Sequence, residues 1–132
     1  MFAASGGATY HKLAKLCIRF AKHGCTNRPF YHIVVMEKRK SRNDHIIEQL
    51  GTYDPVVNAH GEKLCSLNLE RICYWMGRPV CDVSQSCAVL FGLAGLLPVH
   101  PTSYMKAWRN RRKQQEEMEA KEEQEKKTEA IP

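Results

Sequence analysis

The stretch RPFYHIVVMEKRKSRNDHIIEQLGTYDP, residues 28–55, places a cationic loop between two strand-like segments. The first segment, residues 30–36, is a run of β-branched and aromatic residues, which have a strong strand preference. The second segment, residues 46–53, ends at Asp54 and Pro55, a pair typical of a turn. The connection over residues 37–44 favours antiparallel neighbours over a parallel crossover. The stretch therefore predicts two antiparallel strands joined by a basic loop.

A further strand is predicted on the N-terminal side of this stretch. Residues 16–21 alternate in character, which places their apolar side chains on one face and Arg19 on the other. Residues 24–27 form a turn toward the next strand, and a short strand at residues 63–66 follows a turn signal at residues 58–61. These segments together predict a small, mainly antiparallel sheet.

Strand alternation also divides residues 30–36 between the two faces of this sheet. It separates Phe30 and Val34 from Tyr31 and Ile33. If Phe30 and Val34 face the helices, Tyr31 lies on the opposite face, and Ile33 indicates that this face is partly covered too.

Two amphipathic helices are expected after the sheet residues. The first is capped by Asn68, ends at Gly77 and repeats four apolar residues at helical spacing: Leu69, Ile72, Cys73 and Met76. The second is capped by Asp82 or Ser84, ends before Gly95 and has a predicted buried stripe of Cys87, Leu90, Phe91 and Ala94. The fold class is therefore α+β, a small mainly antiparallel sheet with two helices and extended N- and C-terminal tails.

The chain divides into one domain and two extensions. Residues 1–14 are an N-terminal extension or targeting segment, residues 15–98 the folded domain, and residues 99–132 a charged C-terminal extension that is helical or partly disordered. In the last segment Trp108 is the expected anchor. No run of about 18 apolar residues occurs, so no transmembrane segment is predicted.

Charge is distributed unevenly along the chain, whose formal net charge is +6. Residues 113–132 hold four Lys and seven Glu, a net charge of −3, so residues 1–112 carry +9. From Lys12 to Arg42, nine Lys or Arg stand against the single acid Glu37. This density favours nucleic acid or an anionic membrane surface over a small metabolite, with an ordinary solvated surface as the alternative.

Residues able to do acid–base or nucleophilic chemistry are scattered. The histidines form no HExxH or HxH pair, and the chain has no P-loop or GxGxxG pattern. Glu48 and Asp54 are a conceivable acid pair for a nuclease. However, Asp54 before a proline suits a turn, and Glu48 suits a pair with a nearby Arg or Lys at a sheet edge. We therefore predict that the protein is not an enzyme.

The basic residues fit RNA better than any other anionic partner. Arg offers a planar fork to phosphate, Lys offers a mobile point charge, and Tyr31 or His32 could stack on a base or reach a ribose hydroxyl. The predicted RNA-binding residues are Lys12, Lys15, Arg19, Lys22, Asn27, Arg28, Tyr31, His32, Lys38, Arg39, Lys40 and Arg42.

The six cysteines contain no CxxC pair, which argues against a self-contained zinc ribbon. Cys17, Cys73 and Cys87 lie in apolar surroundings and are expected to be core thiols. Cys25 differs, because it lies in a turn between Lys22 and Arg28, where positive neighbours favour the thiolate. A metal-ligating or partner-bridging role at Cys25 would need cysteines from another chain.

Five segments together closely resemble the bacterial-type small-subunit ribosomal protein sixteen family: residues 18–21, 27–35, 47–55, 67–75 and 94–97. Order and spacing match from about residue 16 to residue 97, and RPFY…IV followed by IEQLGTYDP is a specific signature. GCTNRPFY, HGEK and GLAGLLPVHP are similar to the mitochondrial branch.

The resemblance implies a function as well as a fold. Residues 15–98 would be an RNA-binding domain that contacts small-subunit ribosomal RNA and neighbouring small-subunit proteins, stabilises assembly for translation and has no catalytic role. The implied location is the ribosome of the mitochondrial matrix, and the lack of Asp and Glu in the first 36 residues fits a targeting segment. Neither a membrane partner nor a homo-oligomer is expected.

Two departures from the bacterial pattern affect the site. Bacterial members commonly carry a Gly-Arg pair where this chain has Asp44 and His45, and they place basic residues near Cys25 and near Gly92 and Leu93. The replacement of cations by a thiol and by apolar surface suggests that some RNA contacts have given way to protein neighbours. Although the chain alone requires no cofactor, Cys25 is thus the expected ligand of a zinc ion or iron–sulfur cluster shared with a partner chain. A cysteine-based metal or cluster-binding protein acting with a partner is the alternative function.

Overall fold

The computed structural model describes residues 14–129, which form a five-stranded sheet and three helices. In chain order the elements are β1 (Leu16–Cys25), β2 (Arg28–Glu37), β3 (Glu48–Tyr53), β4 (Cys65–Leu67), α1 (Leu69–Met76), β5 (Cys81–Val83), α2 (Gln85–Leu93) and α3 (Pro101–Glu129). The α+β class predicted from the sequence is confirmed. Lys12 and most of the N-terminal extension lie outside the described residues.

The sheet has the strand order β4-β3-β2-β1-β5. Its neighbours are antiparallel except for β5, which runs parallel to β1. The sequence does not predict β5, because three residues have too little pattern of their own. It forms where β1 supplies backbone partners, with the Leu16 amide donating to the Val80 carbonyl at 2.9 Å and the Ser84 amide donating to Ile18 at 3.0 Å.

Strand β1 is longer than residues 16–21, the span predicted from its alternation. It pairs with β2 along its full length, from Leu16 opposite Glu37 to Cys25 opposite Arg28. At the other edge of the sheet, β4 lies so close to β3 at Gly51 that a Cβ atom on this residue would overlap the Ser66 carbonyl oxygen. Gly51 is therefore required by a close backbone approach.

The main core lies between the sheet and the two shorter helices. Its buried members are Leu16, Ile18, Ile33, Val35, Leu50, Ile72, Trp75, Cys87 and Phe91. The suggestion that Phe30 and Val34 face the helices is wrong, because β1 and β2 share faces through their register. Ile18 lies opposite Val35 and Phe20 opposite Ile33, so Ile33 joins the helix-covered face. Tyr31 lies on that face too, packed on Phe20.

The opposite face of the sheet carries a smaller buried group. Ala21, Val34 and Met36 pack together, with Ile46 of the β2–β3 connection partly buried against them. This connection therefore folds over the sheet rather than extending into solvent.

Helix α1 begins and ends where the sequence predicts. The Asn68 side chain accepts a hydrogen bond from the Arg71 amide at 3.2 Å, and Gly77 follows the last helical residue. Its buried residues are Ile72 and Trp75. The assignment of Cys73 to the core is wrong, because the packed face is centred on Trp75 and leaves the thiol of Cys73 exposed.

Helix α2 has Ser84, not Asp82, at its N-cap position. Cys87 and Phe91 are fully buried as predicted, whereas Ala94 lies beyond the last helical turn and is exposed. The chain leaves the helix through Gly95 at φ +84°, a left-handed conformation that glycine adopts without strain.

Helix α3 is one continuous, largely exposed helix. Pro101 is its first residue, and the Thr102 amide donates to Nδ1 of His100 at 3.2 Å. Trp108 was expected to anchor this segment, but its side chain is 66% exposed. Among the described residues, Trp108 is therefore presented to solvent and not packed into the core.

Candidate nucleic-acid interface

The predicted RNA-binding residues separate into two groups at opposite ends of β2. One group, here called the loop cluster, consists of Lys15, Lys38, Arg39, Lys40 and Arg42. The other, the hairpin cluster, consists of Lys22, Asn27 and Arg28 at the β1–β2 turn. Since β2 has ten residues, the two clusters lie roughly 30 Å apart. They can contact separate RNA segments but cannot form one compact pocket.

The loop cluster is built around the guanidinium of Arg19. Its Nη2 donates to the carbonyl oxygens of Lys40 and Ser41, the latter at 2.8 Å, and its Nε lies 2.7 Å from the Met36 sulfur. Arg19 was predicted to contact phosphate. In the folded chain these donors instead hold the loop against the sheet, so Arg19 positions the cations of the loop.

The neighbouring cations of the loop are exposed and make ion pairs. Lys38 lies 2.9 Å from Asp82, Lys40 lies 3.9 Å from Asp44, and Arg39 lies 3.8 Å from Glu37. The Asp82 hydrogen bond raises the pKa of Lys38, which therefore stays charged. Ion pairs with exposed cations contribute about 0–1 kcal/mol to stability, so a phosphate can replace the carboxylate with little loss of free energy.

Arg42 completes the loop cluster. Its side chain is exposed, and no ion pair of Arg42 is found within residues 14–129. Of the predicted loop contacts, it is the cation most readily offered to an anionic partner.

At the hairpin cluster, Arg28 is bound within the protein. Its two terminal nitrogens donate to the two carboxylate oxygens of Asp54, each at 2.7 Å. This hydrogen-bonded pair lowers the pKa of Asp54 to about 2, and Asp54 Oδ1 also accepts from the Val56 amide at 3.0 Å. Asp54 thus serves the turn after β3, as predicted, and Arg28 ties the hairpin to it.

The tip of the hairpin is a tight turn. Asn27 has φ 61° and Gly24 has φ 98°, so both occupy the left-handed region in which Asn and Gly are favoured. Lys22 and Asn27 are both exposed at this tip. Their exposure keeps them available to a partner.

The two candidate stacking residues lie on opposite faces of the sheet. Tyr31 packs against Phe20 and Tyr53, with ring centroids 5.6 and 6.4 Å away. His32 stacks on His23 at 4.2 Å. Burial, with a smaller contribution from His23, lowers the pKa of His32, so its imidazole is neutral at neutral pH and offers a stacking surface rather than a charge.

A third basic surface lies in the charged C-terminal extension, none of whose residues is among the predicted RNA contacts. It occupies the first half of α3, where Lys106, Arg109, Arg111, Arg112 and Lys113 are all exposed. Charge density was the available signal. Lys63, which is also exposed, lies outside every basic run in the sequence and could not be found in that way.

Cys25 is exposed at the hairpin tip, as predicted. Within residues 14–129, no three His, Cys, Asp or Glu side chains come together as metal ligands. One thiolate is too small a donor set for zinc or an iron–sulfur cluster. The residues in the described part of the chain therefore do not by themselves fit either group.

The candidate nuclease acids are held in structural interactions. Glu48 accepts two hydrogen bonds from Arg71, each at 2.6 Å, and one from the Trp75 indole at 2.7 Å. The Arg71 hydrogen bonds are the largest cause of the lowered pKa of Glu48. The expected pairing of Glu48 with an arginine is confirmed, and both Glu48 and Asp54 serve the fold.

No helix within the described range is both long and apolar enough to cross a lipid bilayer.

The sequence of this chain matches one family model and several known proteins. A family model described as ribosomal protein S16 matches residues 22–78. Small ribosomal subunit protein bS16m of Drosophila melanogaster is 57% identical over 110 residues, covering 83% of this chain and 84% of that protein. The Caenorhabditis elegans protein of the same name is 44% identical over 97 residues, covering 71% of this chain and 66% of that protein. Small ribosomal subunit protein bS16 of the bacterium Acidiphilium cryptum is 38% identical over 84 residues, covering 64% of this chain and 73% of that protein.

Proposed function

The chain belongs to the ribosomal protein S16 family, in its mitochondrial branch, and we propose that it binds small-subunit ribosomal RNA and stabilises that RNA during assembly. The family is structural and not enzymatic. The predicted family and the location in the mitochondrial ribosome are both confirmed.

The observation that carries the RNA-binding proposal is the arrangement of the loop cluster. Arg19 fixes the loop backbone, while the charged ends of Arg39, Lys40 and Arg42 remain at the surface. A loop already ordered in the free protein does not lose its conformational entropy on binding RNA. The same residues provide both the flat fork and the point charge that phosphates accept.

Two separated clusters support a role in assembly. A protein with cations roughly 30 Å apart can neutralise phosphates of two RNA segments at once. Neutralisation reduces the repulsion between the segments, so they pack more closely. The protein then acts as a rigid bridge between them.

Filter binding of the full chain to transcripts of mitochondrial small-subunit RNA tests the proposal. Each neutralised phosphate contributes about −0.7 (single strands) to −0.9 (duplexes) to the slope of log affinity against log salt, so Arg39→Ala with Lys40→Ala should make the slope less steep by about 1.4–1.8. Lys121→Ala with Lys126→Ala is the matched control, since it removes two exposed Lys from the acidic half of α3. Equal slopes for the two double variants would exclude the loop from the interface.

We also propose Cys25 as one ligand of a zinc ion or iron–sulfur cluster completed by a neighbouring protein. Its exposure at the hairpin tip supports this, and the lack of companion ligands within residues 14–129 requires the partner. Elemental analysis should find no stoichiometric metal in the isolated chain. In assembled small subunits it should find a metal that is lost when the protein carries Cys25→Ser. Unchanged metal content of the assembled particle with that variant would refute the site.

The protein is proposed to act as a single copy beside neighbouring small-subunit proteins. Light scattering of the purified chain should give the mass of one chain. A concentration-dependent dimer would contradict this proposal.

A further inference from the structure

A groove next to the loop cluster lies between the sheet, α2 and the start of α3. Its volume is about 740 Å³, within the usual range for small-molecule and nucleotide sites. Its lining includes Phe20, Tyr31 and Tyr53 from the sheet and Leu93 from α2. The side of the groove that the sheet forms is therefore an aromatic wall.

The aromatic wall is compact and only partly covered. Phe20 lies 5.6 Å from both Tyr31 and Tyr53 between ring centroids, and all three side chains are half-buried. On the α2 side, Leu93 remains 68% exposed. Planar rings beside an uncovered apolar residue leave room for another flat group to stack.

The charge around this wall has one sign. Arg42, Lys63 and Lys106 line the groove, and no Asp or Glu is among its lining residues. No ion pair of these three cations is found within residues 14–129. An anionic occupant is favoured, because a neutral or basic peptide would leave three cations without a counter-charge.

Hydrogen-bonding groups complete the lining. Gln85 and Ser86 contribute an amide and a hydroxyl from the first turn of α2, and Thr102 contributes a hydroxyl from α3. An aromatic wall, cations and a few polar groups are the three components that recognise an unstacked nucleotide.

We propose that this groove binds a single unpaired nucleotide of ribosomal RNA, with its base against Tyr31 and Tyr53 and its phosphates at Arg42, Lys63 and Lys106. The inference rests on the proposed RNA-binding function and adds a recognition mode to it. Arg42 belongs to the loop cluster and also lines the groove, so an RNA strand bound at the loop can continue into it.

An acidic substitution in the groove tests this with little risk to the fold. Ser86 is exposed in the first turn of α2, where a carboxylate is favourable to the helix. In filter binding to mitochondrial small-subunit RNA transcripts, Ser86→Glu should weaken affinity about ten-fold. Cys73→Glu, which adds the same charge at an exposed position of α1 away from the groove, should change it less than about three-fold.

A second pair of variants tests stacking itself. Tyr31→Leu should reduce affinity by about ten-fold or more without changing the salt slope, whereas Tyr31→Phe should retain most of the affinity. Thermal unfolding of both variants shows whether the fold is intact. Ultraviolet crosslinking of the wild-type complex should join an unpaired nucleotide to a peptide containing Tyr31 or Tyr53.

The outcomes separate this inference from the general one. If Ser86→Glu binds as Cys73→Glu does, or if crosslinks in assembled subunits join Lys63 to a protein while groove variants bind RNA normally, the nucleotide site is refuted. If the Arg39/Lys40 double variant still loses affinity and slope, the proposed RNA binding stands without it. If wild-type protein binds this RNA no better than an unrelated RNA, both proposals fail.

Discussion

The hydrogen bonds of Glu48 predict a specific loss of stability in Glu48→Ala. The Glu48 side chain is 14% exposed and is the acceptor for the Trp75 indole nitrogen at 2.7 Å. Trp75 itself is 5% exposed, so its N–H would be left buried and unpaired, which costs about 1–3 kcal/mol. Arg71, at 40% side-chain exposure, regains water and adds less than about 1 kcal/mol.

The expected reduction in the free energy of unfolding is therefore about 1–4 kcal/mol. Each kcal/mol lowers the melting temperature of a domain of this size by about 4–8 °C. Urea and thermal unfolding followed by circular dichroism measure both quantities. Glu116→Ala, at an exposed position of α3, is the control and should change stability by less than about 0.5 kcal/mol.

A double-mutant cycle with Trp75→Phe isolates the hydrogen bond from the packing of the ring. In the Glu48→Ala background, Trp75→Phe also removes the indole N–H that has lost its acceptor. Trp75→Phe should therefore destabilise the Glu48→Ala protein by at least about 1 kcal/mol less than it destabilises the wild-type protein. If the two substitutions are additive within about 0.5 kcal/mol, the bond does not couple the residues and the reasoning is wrong.

Acid titration offers an independent measure of the same interaction. The Arg71 and Trp75 hydrogen bonds hold the pKa of Glu48 below its ordinary value of 4.5, so the unfolded chain binds the proton more readily. The contribution of Glu48 is thus complete above pH 4.5 and is lost as the pH falls through the lower, folded pKa. Glu48→Gln should flatten this part of the stability profile, and a profile identical to wild type would contradict the assignment.

Three further predictions concern the loop, the hairpin and the sheet. Gly51→Ala should destabilise the fold by more than about 2 kcal/mol in urea unfolding because its Cβ meets β4 backbone, whereas Gly77→Ala, with its nearest atom at 3.4 Å, should lose less than about 1 kcal/mol; equal losses would contradict the steric account. The carboxyl of Asp54 should titrate near pH 2 by NMR, and its contribution to stability should be present above pH 3.8 and lost toward pH 2. Arg28→Met should raise the pKa of Asp54 toward its ordinary value. A carboxyl that titrates near pH 3.8 in the wild-type protein would show that the pair does not form. Arg19→Ala should increase amide hydrogen exchange in residues 38–44 by about ten-fold or more while leaving the sheet protected, and unchanged exchange would show that the loop is ordered without Arg19.

Much of the candidate interface could be located from charge alone. The run Lys38, Arg39, Lys40 and Arg42 is dense enough to mark an anion-binding loop in the sequence. Arg19 could not be understood in the same way, because its role depends on where the loop carbonyls lie after folding. Lys63 was missed for a similar reason, since only the folded chain brings it beside Tyr31 and Tyr53.

The sequence alone determined the elements whose signals are local. Branched and aromatic runs predict β2 and β3, Asn68 and Gly77 predict the ends of α1, and Asp54 predicts a turn, because each depends on neighbouring backbone preferences. Tertiary structure decided what depends on register between distant segments. Both faces of β2 are apolar, so alternation could not choose between them until pairing with β1 fixed the side of Tyr31, and β5 exists only because β1 supplies its hydrogen-bond partners.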